Sequence, residues 1–399
     1  MTRSFLATFS PRECIEKWLA NAGHSLWSAS IALGLCLSSS GAVAAKPEKI
    51  DTAATLRTME KVADWQLANL IPPASIKSFR AESSRPRSWE QAAFYIGLTQ
   101  LAERSKSPRF REAILKHGRQ EQWQLGDRKY HADDHAIGQS YLWASAHGAG
   151  NEALAPMKKT FDEILATPAQ GSLSADNGAK CFDRWCWCDA LFMAPPAWVE
   201  LSKVTGDRRY ADFSHKEWRA TQDYLYDREE HLFFRDSRFF QQRDEQGRKL
   251  FWSRGNGWVV GGVVRVLDYL PKNDPTRAYY ETLFKEMMAK LLQLQKPDGY
   301  WAPSLLALEN SPPETSGTGF FVYGMAWGIK SGLLDRKTYE PAVLRGWQAL
   351  QRAVDSDGRL GWVQQVGDRP QNVVKEDTQF YGVGAYLLAG AAVHDLYAR

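Results

Sequence analysis

An all-α fold, a single (α/α)6 barrel of six inner and six outer helices, is what this sequence predicts, and three observations predict it. Apolar residues recur at helical spacing nearly everywhere after residue 45, and strand-like alternation is confined to short runs such as "HLFFRDSRFF" and "GRLGWVQQV". Five segments share one layout, a small or acidic turn followed by an amphipathic helix: "SKSPRFREAI", "GNEALAPMKKTF", "VTGDRRYADFSHKEW", "KNDPTRAYYETLFKEM" and "LDRKTYEPAVLRGWQAL". Between them lie six segments rich in Gly and Ala and apolar around most of their circumference, as buried helices are.

Residues 1–45 read as an export leader. Arg3, Arg12 and Lys17 precede the apolar run "SLWSASIALGLCLSSS", and "AVAA" offers small residues for cleavage near Ala44 or Ala45. The run is too short and too polar for a membrane span, and Leu35 stands before Cys36 where a lipidation site wants a small residue. The reading is a secreted, periplasmic protein with residues 46–399 as one catalytic domain.

An outer helix is expected to open that domain near Thr52 to Leu70. Inner helices follow in "SWEQAAFYIGLTQLA", "DDHAIGQSYLWASA", "RWCWCDALFMAPPAWVELSKV", "RGNGWVVGGVVRVLDYL", "TSGTGFFVYGMAWGIKSG" and "DTQFYGVGAYLLAGAAV", alternating with the amphipathic five. The turns "KPDGYWAPS" and "DSDGRLGWVQQ" each place Asp-Gly and a Trp between an outer and an inner helix. A solenoid of helical pairs would keep a nearly constant period, whereas loops of variable length separate these pairs. A closed barrel instead gathers all six inner-helix starts at one mouth.

The formal charge of +4 and the lack of basic tracts with interleaved aromatics argue against nucleic acid. No run approaches twenty apolar residues, so no membrane association is expected once the leader is removed. Beyond Cys14 and Cys36 in the leader, the cysteines are Cys181, Cys186 and Cys188. With no histidine at ligand spacing, one disulfide and one buried thiol are favoured over zinc. Neither a phosphate-binding loop nor a nicotinamide fingerprint occurs, so no cofactor and no metal are expected.

Chemistry concentrates at the inner-helix starts. In "RWCWCDAL", Asp189 sits among Trp185, Trp187 and Phe192, where a charged carboxylate costs several kcal/mol unless paired. Desolvation there lifts its pKa toward the working range of a proton donor, and the pair Asp133 and Asp134 of "HADDHAIGQ", flanked by His131 and His135, would raise it further by like charge. Asp and Ser/Thr at helix starts are also ordinary caps, a reading that serves "PPETSGTGFF" and "KEDTQFYG" equally well. Capping does not explain Arg254 between Trp252 and Trp258, because a cation is unfavourable at a helix N-terminus. A bidentate grip on a substrate carboxylate would, and the 16 tryptophans offer flat faces for sugar rings.

At these residues the chain resembles a known family. "HADDHAIGQ", "WCDALFMAPP", "WSRGNGW", "ETSGTGFF" and "DTQFYGVGAYLLA", in this order, are similar to the unsaturated rhamnogalacturonyl hydrolases of glycoside hydrolase family 105, over nearly the whole mature chain. The resemblance implies an (α/α)6 barrel acting on oligosaccharides left by polysaccharide lyases, which end in a 4,5-unsaturated uronic acid. That sugar is removed by hydration of its C4=C5 bond. The aspartate matching Asp189 gives a proton to C4 and helps water add at C5; the hemiketal then collapses and releases the rest of the chain. An aspartate of "ADDH" assists: Asp134 is set beside Asp189 in catalysis and Asp133 in substrate binding, though the motif leaves either open. The resemblance and the residue types together assign substrate binding to His131, His135, Trp187, Arg235, Trp252, Arg254, Trp258 and Glu314. Arg235, in "FFRDSR", stands where some members carry histidine, which bears on the leaving sugar. The alternatives are an inverting glycosidase using Asp189 and Asp134 on a saturated glycoside, and a non-catalytic sugar-binding scaffold.

Overall fold

The computed structural model describes residues 50–71, 83 and 85–398; the leader assigned to residues 1–45 lies outside them. Each outer helix carries one apolar stripe. The six are α1 (Thr52–Ala68), α3 (Arg109–Gln120), α6 (Ala155–Ala166), α9 (Arg208–Leu225), α11 (Arg277–Gln293) and α13 (Arg336–Arg352). In α9, for example, Tyr210, Ser214, Glu217, Trp218, Thr221 and Leu225 are buried at helical spacing and the remaining face is charged. Four of the outer helices begin under side-chain caps or a first-turn proline: Asp51, Asp207 and Asp335 accept from first-turn amides, and Pro156 sits in the first turn of α6.

Inside them stand α2 (Trp89–Ala102), α10 (Ser253–Tyr269), α12 (Thr315–Lys330) and α14 (Phe380–Tyr397), buried on nearly all sides. The other two inner positions are broken helices: α4 (Ala132–His135) with α5 (Gly138–Ala144), and α7 (Ala190–Met193) with α8 (Pro195–Thr205). The second break has a plain cause, since Pro195 and Pro196 lack the amides that would continue α7. Neighbours run α2, α5, α8, α10, α12, α14 and back to α2, closing the inner ring. Gly makes the closeness possible: a Cβ on Gly97 would lie 2.5 Å from the Gly384 carbonyl oxygen, and one on Gly262 would lie 2.1 Å from that of Leu191. Among the described residues the helices thus form two rings of six, the all-α barrel that the sequence predicts, and no helix there is long and apolar enough to cross a membrane.

Strand is scarcer than the alternating runs suggested. "HLFFRDSRFF" supplies only Leu232–Phe233 (β2), paired antiparallel with Tyr226–Asp227 (β1). "GRLGWVQQV" forms one isolated bridge, Val354 with Leu360, then a loop whose Trp362 sits at φ 57°. Its amides are spent on loop carbonyls, Trp362 on Lys375 and Val363 on Asp377, so no ladder continues. Both Asp-Gly turns form, with Gly299 at φ 94° and Gly358 at φ 103°, a region that favours glycine.

Candidate active site

The N-terminal ends of the inner helices meet at one mouth, where two cavities share the walls Trp89, Asp133 and Val366 and so form one cleft with a waist. The inner lobe, about 440 Å³, is bounded by Asp133, Trp187, Asp189, Met193, Arg235 and the loop residues Val366, Gly367, Asp368 and Gln371. The outer lobe, about 610 Å³, is lined by Arg85, Arg87 and Arg128 together with Glu90, Glu121, Asp127 and Asp134.

Asp189 immediately precedes α7 and is 8% exposed. Burial pushes its carboxyl above the usual aspartate range, opposed by the guanidinium charges of Arg235 and Arg254. Its Oδ2 accepts from the Cys188 thiol at 3.4 Å and lies 3.6 Å from Arg235 Nε. That Nε is buried and has no hydrogen-bond partner among the described residues, while Nη1 of the same side chain donates to Asp236 at 2.6 Å. The Cys188 amide donates to the Arg235 carbonyl at 2.9 Å, so the segment after β2 and the acid are built as one piece.

The two adjacent aspartates separate cleanly. Asp134 accepts from the Arg128 amide at 2.6 Å and from its guanidinium at 2.5 and 3.1 Å, a bidentate pair that consumes its lone pairs. Gly126 is required beside it, since a Cβ there would come 2.4 Å from the Asp134 carboxyl carbon. Asp133 lines both lobes, and its carboxyl is pushed up to about 8, first by burial; Arg128 opposes this, and the charges of Asp189 and Asp134 add to it. The residue that shares the inner lobe with Asp189 is therefore Asp133, a correction to the pairing of Asp189 with Asp134.

Trp187 is 3% exposed and forms a wall of the inner lobe. Behind it the His131 ring lies 4.8 Å away and Phe182 packs edge-on at 4.9 Å, within a loop closed by the Cys181–Cys186 disulfide. Cys188 is the buried free thiol. His131 also caps α4, its Nδ1 accepting from the Asp133 amide at 3.3 Å. Burial, aided by Arg128, drives its pKa down to about 3, so it is neutral.

Five residues expected to touch substrate are placed elsewhere. Arg254 is 0% exposed; its Nη1 and Nη2 donate to the carbonyls of Gln364 and Gln365 at 2.7 and 2.8 Å, and its guanidinium lies between Trp252 at 4.3 Å and Tyr381 at 4.5 Å. It holds the loop that roofs the cleft and has no surface left for a carboxylate. Trp252 is the lower face of that sandwich and donates to Gln364. Trp258 is buried against Phe192, Phe320 and Trp89. Glu314 is the N-cap of α12, accepting from the amides of Ser316 and Gly317 at 2.9 and 2.7 Å. His135 is buried between Phe161 and Trp198, its Nε2 donating to the Lys129 carbonyl and its Nδ1 accepting from Trp198. For Arg254, Glu314 and His135 the polarity that marked the motif serves backbone groups, while the Trp252 and Trp258 rings are spent on packing.

Sequence reasoning passed over Trp89, Arg128 and the loop from Val366 to Gln371. Trp89 opens an inner helix, a position that could have flagged it; the loop has no side-chain signature. Among the described residues, no cluster of His, Cys, Asp or Glu is disposed to hold a metal ion.

The model of Glycosyl Hydrolase Family 88 matches residues 54–397. An unsaturated 3S-rhamnoglycuronyl hydrolase of Alteromonas sp. (strain LOR) is 41% identical over 352 residues, 84% of each chain. One of the same description from Formosa agariphila is 39% identical over 345 residues, 84% of this chain and 89% of the relative. Among solved structures, a family 88 glycosyl hydrolase from Bacteroides vulgatus superposes with a TM-score of 0.75 at 26% identity, over 87% of this chain and 100% of the other. A chain described as a polysaccharide lyase does so with a TM-score of 0.75 at 27% identity, over 86% of this chain and 97% of the other. The barrel, the acid among tryptophans and a family match from the first outer helix to the last inner one lead to one conclusion: this chain belongs to Glycosyl Hydrolase Family 88.

Proposed function

We infer that this glycoside hydrolase removes a 4,5-unsaturated uronic acid from the non-reducing end of lyase-generated oligosaccharides. The observation that carries the reading is Asp189, a carboxyl whose pKa burial raises, set in one lobe with Asp133 and with an arginine whose Nε has no hydrogen-bond partner among the described residues. Its names being those of unsaturated 3S-rhamnoglycuronyl hydrolases, the pair of curated relatives supports the same substrate class and makes such an oligosaccharide the first to test.

The roles follow from the geometry. Arg235 faces the uronate carboxylate in the inner lobe, taking the part that the sequence alone gave to Arg254. Sharing its charge with that carboxylate weakens its pull on Asp189, so the acid holds its proton more firmly once substrate is bound. Asp189 donates that proton to C4, leaving positive charge at C5 and the ring oxygen. The resulting carboxylate takes a proton from the water that adds at C5. The hemiketal opens by breaking the bond between C5 and the ring oxygen, and the leaving sugar departs from C1; the net change is one water consumed. Asp133, close enough to feel the charge of Asp189, orients the water or the sugar hydroxyls. Neither nucleic acid nor a membrane has a part in this chemistry.

We also propose export to the periplasm, supported by the leader pattern and by the Cys181–Cys186 disulfide, a bond of oxidising compartments. The unit from Ile50 onward then carries the whole site as one catalytic domain. Ultraviolet absorbance of the conjugated ene-carboxylate tests the function: a hydrolase of this kind removes it from lyase products, whereas a lyase creates it from intact polysaccharide.

A further inference from the structure

The waist of the cleft is built on an unusual column. From the core outward, Trp252 lies under the Arg254 guanidinium at 4.3 Å, Arg254 lies over Tyr381 at 4.5 Å, and the Tyr381 ring stacks on Trp89 at 5.1 Å with 18° between the planes. Trp252, Arg254 and Tyr381 are each 2% exposed or less, while Trp89 is half-buried and lines both lobes. Trp258 meets the Trp89 ring at 82° and 6.0 Å, fixing its rotation. Lower in the column, Arg254 and the Tyr381 hydroxyl both donate to the Gln364 carbonyl, the root of the loop that supplies Val366 on the other side of the waist. One stack therefore sets both edges of the opening between the lobes.

We propose that Trp89 is the specificity residue for the sugar on the leaving side of the scissile linkage, a flat platform held at the waist by the Trp252–Arg254–Tyr381 column. This rests on the function inferred above. Asp189, Arg235 and Trp187 occupy the inner lobe, so the unsaturated ring belongs there; the next ring must cross the waist into the outer lobe, and Trp89 is the aromatic side chain common to both. A ring immobilised by stacking presents its face at little further cost in entropy, and a face-on contact suits the apolar C–H side of a pyranose. Tyr381 and Arg254 are positioning residues, acting through the platform and the loop.

The test compares two substrates: an unsaturated uronyl disaccharide, and the methyl glycoside of the same unsaturated acid, which has no second ring. Trp89→Leu keeps bulk and removes the flat face; it is expected to raise KM for the disaccharide roughly tenfold with a smaller change in kcat, and to raise KM for the methyl glycoside distinctly less. Trp89→Phe should recover part of the loss. Equal losses on both substrates, or none on the disaccharide, overturn the assignment. Wild type that turns over neither substrate instead overturns the function itself, and the platform with it.

Discussion

Replacing Arg254 with leucine separates the loop-holding role from the carboxylate grip that its motif suggested. The guanidinium is fully buried and supplies the hydrogen bonds of two loop carbonyls, at 2.7 and 2.8 Å, from between two aromatic rings. The Gln364 carbonyl keeps the Tyr381 hydroxyl, so only that of Gln365 is left without this donor, at about 1–3 kcal/mol, and losing the cation from its sandwich adds about 1 kcal/mol. Relief from no longer burying a charge offsets part of this, leaving a net destabilisation of roughly 1–3 kcal/mol. The thermal unfolding midpoint should fall on the order of 5 °C. Lysine, with a point charge in place of a fork, should restore one carbonyl and lie between the two. Circular dichroism melts and steady-state kinetics on an unsaturated disaccharide check both effects. An unshifted midpoint together with a hundredfold rise in KM would refute the reasoning, because it would mean that the guanidinium spends its hydrogen bonds on substrate.

Glu314→Ala removes four acceptor contacts at the start of α12, including one from the Gln364 amide at 3.4 Å, and should cost about 2 kcal/mol of stability, read by melting, with a smaller effect on KM. Asp133 has its pKa raised to about 8, so the folded state binds this proton more tightly than the unfolded chain. Its contribution to stability is complete below the ordinary aspartate range and is lost as pH climbs toward about 8; in Asp133→Asn that slope should flatten and the alkaline limb of kcat/KM should move. Replacing Cys181 and Cys186 together with serine opens a short loop, worth about 2 kcal/mol by the chain-entropy argument. It should raise KM as the Trp187 wall loosens, and unchanged kinetics would show that the wall stands without the bond.

The barrel was legible because its two helix classes differ in what they bury. The stripe of α9 and the all-round apolarity of α14 are properties of residue order alone, and so is the Asp-Gly punctuation between them. Asp189 was legible for the same reason: a carboxylate among tryptophans announces its own desolvation. What surrounds it was not. Arg254, Glu314 and His135 looked like ligands for substrate because a sequence shows a polar group but not the backbone carbonyl or amide it will meet. Those partners, at Gln364, Ser316 and Lys129, exist only after the chain has closed on itself. The choice between Asp133 and Asp134 turned on Arg128, whose grip on Asp134 depends on a turn that Gly126 permits. Trp89 became visible only when α14 placed Tyr381 beneath it.

The central claim, that Asp189 protonates the double bond of an unsaturated uronic acid, is tested most directly by following the ene-carboxylate absorbance of an unsaturated 3S-rhamnoglycuronyl oligosaccharide with wild type and with Asp189→Asn. The account predicts that absorbance falls with wild type and holds steady with the variant, which keeps the shape of the site but has no proton to give. Absorbance lost equally fast with both would contradict the role of Asp189, and absorbance unchanged with wild type, while saturated uronyl glycosides are cleaved, would contradict the reaction.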